Sequence, residues 1–153
     1  MYTIALQGVE NTGKTETLNL LIDFINKGGV FSDIEIRYIN ERNPNNKDRI
    51  CWCNFVGNKR TVKIGITTRG DYEGCLRTDF QGASRRNFAD RDVVVCPVRS
   101  AGSSVNYVKN QATDGLRIVE KKRVAQADMS EVNSSQAKEI LEVLKQHCCT
   151  LGG

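Results

Sequence analysis

The chain has 153 residues, 39% of them hydrophobic and 26% charged, with a formal net charge of +4. That length suits one hydrophobic core, and the ordinary composition excludes a disordered, collagen-like or disulfide-scaffold protein. The longest apolar run, Val93-Val94-Val95-Cys96-Pro97-Val98, falls far short of the roughly 20 residues that a membrane-spanning helix needs.

Tyr2-Thr3-Ile4-Ala5-Leu6-Gln7 reads as a short buried strand. It leads into Gly8-Val9-Glu10-Asn11-Thr12-Gly13-Lys14-Thr15, which meets the pattern Gly-x-x-x-x-Gly-Lys-Ser/Thr at every fixed position. Over 17–27, Leu18, Leu21, Ile22 and Ile25 form an i, i+3, i+4, i+7 stripe, and Lys27-Gly28-Gly29 supplies a helix stop. Residues 33–39 alternate charged and apolar side chains, predicting a strand with one wet face. The Asn-rich stretch 40–49, with Pro44, reads as a loop. Two strand-like runs, 50–56 and 61–67, flank Gly57-Asn58-Lys59-Arg60 and predict an antiparallel hairpin. After the polar turn Thr68-Arg69-Gly70-Asp71, the spacing of Tyr72, Leu76, Phe80 and Ala83 predicts a helix over 72–87.

Val93-Val94-Val95-Cys96 reads as a central strand covered on both faces. A loop at 99–104, a short helix through 112 and a last strand over 116–124 follow. The closing helix, over 135–149, carries Ala137, Ile140, Leu141, Leu144 and Cys148 on one face. This order predicts an α/β three-layer sandwich with a mainly parallel sheet and one antiparallel hairpin or edge pair, as a single domain over 1–153. Ligands of such sheets bind beyond the carboxyl ends of the strands, which directs attention to 8–15, 67–74 and 98–104.

The octapeptide has a phosphate-binding chemistry. Its glycines let backbone N–H groups turn toward anionic oxygens, and the helix N-terminus adds a favourable dipole. Lys14 would bridge β- and γ-phosphates, and the Thr15 hydroxyl would take one Mg²⁺ position. Asp71, soon after the 61–67 strand, is the candidate acidic residue to hold the Mg²⁺ beside Thr15. Arg69 and Arg99 lie on ligand-side loops, where a guanidinium could neutralise transferred phosphoryl charge. Glu10 could orient water or a substrate hydroxyl, and Thr67 and Thr68 could hold water near a γ-phosphate. Arg42, Arg49, Arg85 and Arg86 are weaker lid candidates. The six cysteines lack zinc-site spacing, so reduced thiols are expected, with a redox pair at Cys51/Cys53 as the alternative.

On these residues, 8–15 resemble the Walker A loop of the P-loop NTPase superfamily. The hairpin followed by Asp71-Tyr72-Glu73-Gly74 resembles the strand pair and Asp-x-x-Gly motif of small GTPases. The chain also looks like small bacterial or phage P-loop proteins. No Asn-Lys-x-Asp occurs, so guanine recognition is not implied.

The resemblance implies a domain binding ATP or another nucleoside triphosphate with Mg²⁺. Gly8, Glu10, Asn11, Thr12, Gly13, Lys14 and Thr15 would be nucleotide-binding, Thr15 and Asp71 metal-binding, and Lys14, Asp71 and Arg99 catalytic. The expected activity is γ-phosphoryl hydrolysis or transfer, as an NTPase or small kinase. The alternative is a nucleotide-gated protein-interaction switch. A small acceptor or a protein would be the further partner. With no basic apolar leader and no basic–aromatic interleaving, a cytoplasmic location is expected, and neither membrane nor nucleic acid is an expected partner.

Overall fold

A computed structural model describes residues 1–10, 12–70, 72–82 and 87–153 of the chain. Its strands are β1 (Tyr2–Gln7), β2 (Ser32–Tyr38), β3 (Arg49–Val56), β4 (Thr61–Thr67), β5 (Val93–Val98) and β6 (Leu116–Glu120). Its helices are α1 (Lys14–Gly28), α2 (Glu73–Gln81), α3 (Ser103–Gln111) and α4 (Met129–Gly152), with a 3₁₀ turn at Gln126–Asp128 before α4. Among the described residues no helix is long and apolar enough to cross a membrane.

The strands form one mixed sheet in the order β2-β3-β4-β5-β1-β6. β1 runs parallel to β5 and β6, and β4 parallel to β5. β3 runs against both of its neighbours, β2 and β4. The expected β3–β4 hairpin is therefore present, but the sheet has two antiparallel pairings where the sequence suggested one, because β2 adds outside β3. All strands except β3 point the same way, so their carboxyl ends share one edge. β3 delivers its amino end to that same edge.

Pleating sends alternate side chains to opposite faces, and both faces are covered. On one, Leu18, Leu21, Ile22 and Ile25 of α1 and Ala137, Ile140, Leu144 and Cys148 of α4 pack on Ile4, Leu6, Ile64 and Val95. On the other, Leu76 and Phe80 of α2 and Val105 and Val108 of α3 pack on Ala5, Trp52, Val94 and Cys96. β5 lies between these layers and is buried throughout.

α2 stops at Gln81, where Gly82 turns to an extended conformation and its N–H caps the Thr78 carbonyl. The helix expected to 87 is thus shorter, and Ala83, Ser84, Arg85 and Arg86 lie outside the described residues. Tyr72 is the N-cap of α2 and is 62% exposed, so it is not part of the core stripe. α4 begins at Met129, ahead of the apolar stripe that marks it in the sequence. Its polar early turns are fastened by tertiary bonds: Gln136 donates to the Glu120 carbonyl and accepts from Lys122 N–H, and Asn133 donates to Glu16.

Candidate functional site

β1 lies between β5 and the edge strand β6 and ends at Gln7, with Gly8 N–H still paired to the Val98 carbonyl of β5. The chain then turns into α1 through Gly13, which holds the left-handed conformation at φ 88 and provides no side-chain cap. Thr12 Oγ1 donates to the Val9 carbonyl at 2.8 Å, closing the turn. Lys14 is almost fully buried and folds back over the loop, its Nζ donating to the carbonyls of Gly8 at 2.5 Å and Val9 at 3.0 Å. Thr15 Oγ1 reaches across to the Thr68 carbonyl beyond β4 at 3.4 Å.

Two residues from the far end of the chain close the loop from behind. A Cβ on Gly13 would lie 2.9 Å from both amide atoms of Asn133, and one on Gly8 would lie 2.9 Å from Lys121 Cβ. Glycine is therefore required at both positions by close approach, and at Gly13 by backbone sign as well. Asn133 Oδ1 is buried and has no hydrogen-bond partner among the described residues. Burial pushes the Lys121 amine below the usual lysine range, against the opposing pull of Glu16.

Glu10 and Arg99 come together at the mouth. Arg99 Nη2 donates to Glu10 Oε1 at 3.0 Å, and the guanidinium stands 4.9 Å from the centre of the Tyr72 ring. Arg99 Nε is buried without a hydrogen-bond partner among the described residues.

Arg69 is engaged elsewhere. Its Nε and Nη2 donate to the two oxygens of Asp79 at 3.0 and 2.6 Å, and Thr67 Oγ1 donates to the same carboxylate at 2.8 Å. Asp79 is 5% exposed, and its hydrogen bond holds the Arg69 guanidinium above the ordinary arginine value. Arg69 and Thr67 thus tie the β4 exit to α2, and neither is free to meet a phosphate. Arg49 is likewise committed, to Asn19 and Asp23 of α1.

Three cavities converge on Thr15. One of about 330 Å³ lies over the start of α1, lined by Thr12, Gly13, Lys14, Thr15, Glu16, Gln126 and Met129. A second, of about 420 Å³, lies toward β3 and the β4 exit. A third, of about 340 Å³, runs along α1 toward Tyr38 and Asn133.

Asp48, which the sequence reading passed over, borders the second cavity, with its Oδ1 accepting from Thr68 Oγ1 at 2.9 Å. It reaches this edge because β3 is reversed, so the residue before the strand stands where its neighbours present their carboxyl ends. Asn11 and Asp71 lie outside the described residues. Among the described residues no group of three or more His, Cys, Asp and Glu side chains could hold a metal ion.

The cysteines are free thiols. Cys51 and Cys53 are buried, and the Cys53 thiol is held far above its ordinary pKa by a hydrogen bond with the Cys51 thiol and by burial. Burial pushes Cys148 up to about 12. Cys53 and Cys148 are buried in the core, and burial favours their protonated thiol form.

Compared with models of protein families, with curated proteins and with solved structures, the chain matches none.

Proposed function

We propose that the protein binds a nucleoside triphosphate, ATP first among them, together with Mg²⁺, and hydrolyses or transfers its γ-phosphoryl group in the manner of a P-loop NTPase. The observation that supports this most is the turn from the interior strand β1 into α1 through left-handed Gly13, with Lys14 held over the loop. Such a turn offers backbone N–H groups and a helix N-terminus to an anion at one point.

In this reading the Lys14 ammonium exchanges the Gly8 and Val9 carbonyls for β- and γ-phosphate oxygens. Thr15, with Asp71, would hold Mg²⁺, which supplies charge neutralisation across those oxygens. Arg99 leaves Glu10 to meet charge on the γ-phosphoryl group. Its Nε, buried without a hydrogen-bond partner among the described residues, is a donor suited to that role. The test is calorimetry with ATP, GTP and their diphosphates, with and without Mg²⁺. Triphosphate binding should strengthen with Mg²⁺ and largely vanish in Lys14→Ala. Unaltered affinity in that variant would contradict the assignment.

One contact also favours a nucleotide-gated switch. Glu10, Arg99 and Tyr72 link the glycine-rich loop to the start of α2, so drawing Arg99 toward phosphate would release Tyr72. Limited proteolysis around residues 68–74 should then differ between ADP and a non-hydrolysable ATP analogue. Identical cleavage would end this second reading.

A further inference from the structure

Resting on the nucleotide reading, we propose that the 420 Å³ cavity seats a neutral hydroxyl-bearing ring compound, a sugar or a nucleoside. Asp48 takes the proton from the hydroxyl that receives the γ-phosphoryl group. Thr15 lines both this cavity and the one over the start of α1. The two therefore meet where the last phosphate of a triphosphate on the loop would end.

Size separates an acceptor from a water nucleophile. A water molecule occupies roughly 30 Å³, whereas small-molecule pockets begin at about 300 Å³. The lining suits a polyhydroxyl ring: the amides of Asn40 and Asn46 can both donate and accept, and Tyr72 offers an exposed aromatic face. Charge selects against an acceptor that already carries phosphate. Arg69 is the one cation among the described lining residues, and Asp79 holds it at two points. The Asp48 carboxylate would repel a second anion.

Asp48 is positioned for the proton transfer. Asp48 N–H donates to Asn46 Oδ1 at 2.8 Å, and its carbonyl accepts from Ile39 N–H at 2.9 Å, which fixes the backbone. Thr68 occupies Oδ1, and the same threonine's carbonyl receives the Thr15 hydroxyl. Oδ2 has no hydrogen-bond partner among the described residues.

In the transfer, the acceptor oxygen forms a bond to the γ-phosphorus while the bond from that phosphorus to the β–γ bridging oxygen breaks. The nucleoside diphosphate leaves with the electron pair, and the hydroxyl proton passes to Asp48 Oδ2 and then to water.

The experiment incubates the full chain with Mg²⁺–ATP and two acceptor sets, one of pentoses and hexoses and one of nucleosides, reading ADP and phosphorylated product. One set should yield both in equal amounts, which identifies the source of the ring. Asp48→Asn keeps an oxygen that can accept from Thr68. It should bind ATP within about twofold of wild type yet phosphorylate the acceptor about 10²–10⁴-fold more slowly, the usual contribution of a general base. Cys75→Phe, which intrudes into the cavity, should raise the acceptor KM while ATP still binds. ATP binding with ADP formation indifferent to every acceptor, or Asp48→Asn turnover equal to wild type, overturns the acceptor site and leaves the nucleotide reading standing. Absence of ATP binding in the wild type overturns both.

Discussion

At Gly13 the backbone adopts φ 88 while the Asn133 amide stands 2.9 Å from where a Cβ would be. A side chain there meets two penalties. The left-handed conformation costs a non-glycine residue about 1–2 kcal/mol, and the Asn133 contact adds a steric term. Gly13→Ala should lower Tm by at least about 2–8 °C, using the usual 2–4 °C per kcal/mol for this size. In an Asn133→Ala background the loss should shrink, because the steric part disappears and only the conformational part remains. Full additivity of the two substitutions in thermal melts would show that the two residues do not press on one another.

The Arg69–Asp79 pair gives a second residue-scale outcome. The Asp79 side chain is 4% exposed and that of Arg69 26%, so removing the carboxylate strands a partly buried cation. Asp79→Ala should cost about 3–5 kcal/mol in urea unfolding. A change below about 1 kcal/mol would mean that solvent already screens the pair.

Among the elements, the α1–α4 pair has the heaviest structural role, since it covers one sheet face and positions the loop between β1 and α1. Leu21 and Ile140 are both fully buried there. Truncating either to Ala should cost about 2–5 kcal/mol, and in Leu21→Ala the strain should reach α1's first turn.

The stripes that place these helices are written locally, as are the β3–β4 hairpin and the all-apolar β5, so sequence periodicity found them. The opening of α4 was not legible. Its early turns are polar, and they are held by bonds such as Asn133 to Glu16, 117 positions apart. The reversed β3, which brings Asp48 to the edge where the other strands present their carboxyl ends, depends on strand order, and no local pattern encodes strand order. The turn from β1 into α1 was legible because its parts are consecutive. Arg99 could be suspected from its loop, but its partner Glu10 lies 89 residues away. Arg69 shared the same loop logic, yet its destination was a buried aspartate on the next helix.

At the scale of the molecule, the two ends of the sheet have different roles. Loops that could bind a ligand gather at the carboxyl edge of the parallel strands. At the opposite end His147 of α4 stacks on Tyr2, with ring centres 3.7 Å apart and Nε2 buried without a hydrogen-bond partner among the described residues. Burial depresses the His147 pKa below its ordinary value of 6.5.

The unfolded chain therefore takes up this proton first. The contribution is complete above about pH 6.5 and is lost as pH falls from there toward the folded-state pKa. Urea midpoints measured from pH 8 to 5 should decline below about 6.5, and His147→Phe should flatten that part of the curve. An unchanged slope in the variant would assign the acid limb to other groups.

The central proposition is that amides of the loop between β1 and α1 grip a polyphosphate. It is tested most directly by amide NMR during titration with Mg²⁺ and a non-hydrolysable ATP analogue. The account predicts saturable shifts largest at Gly8, Gly13, Lys14 and Thr15, and their collapse in Lys14→Ala. Saturable shifts confined to other surfaces, or an unresponsive spectrum at millimolar nucleotide, would contradict it.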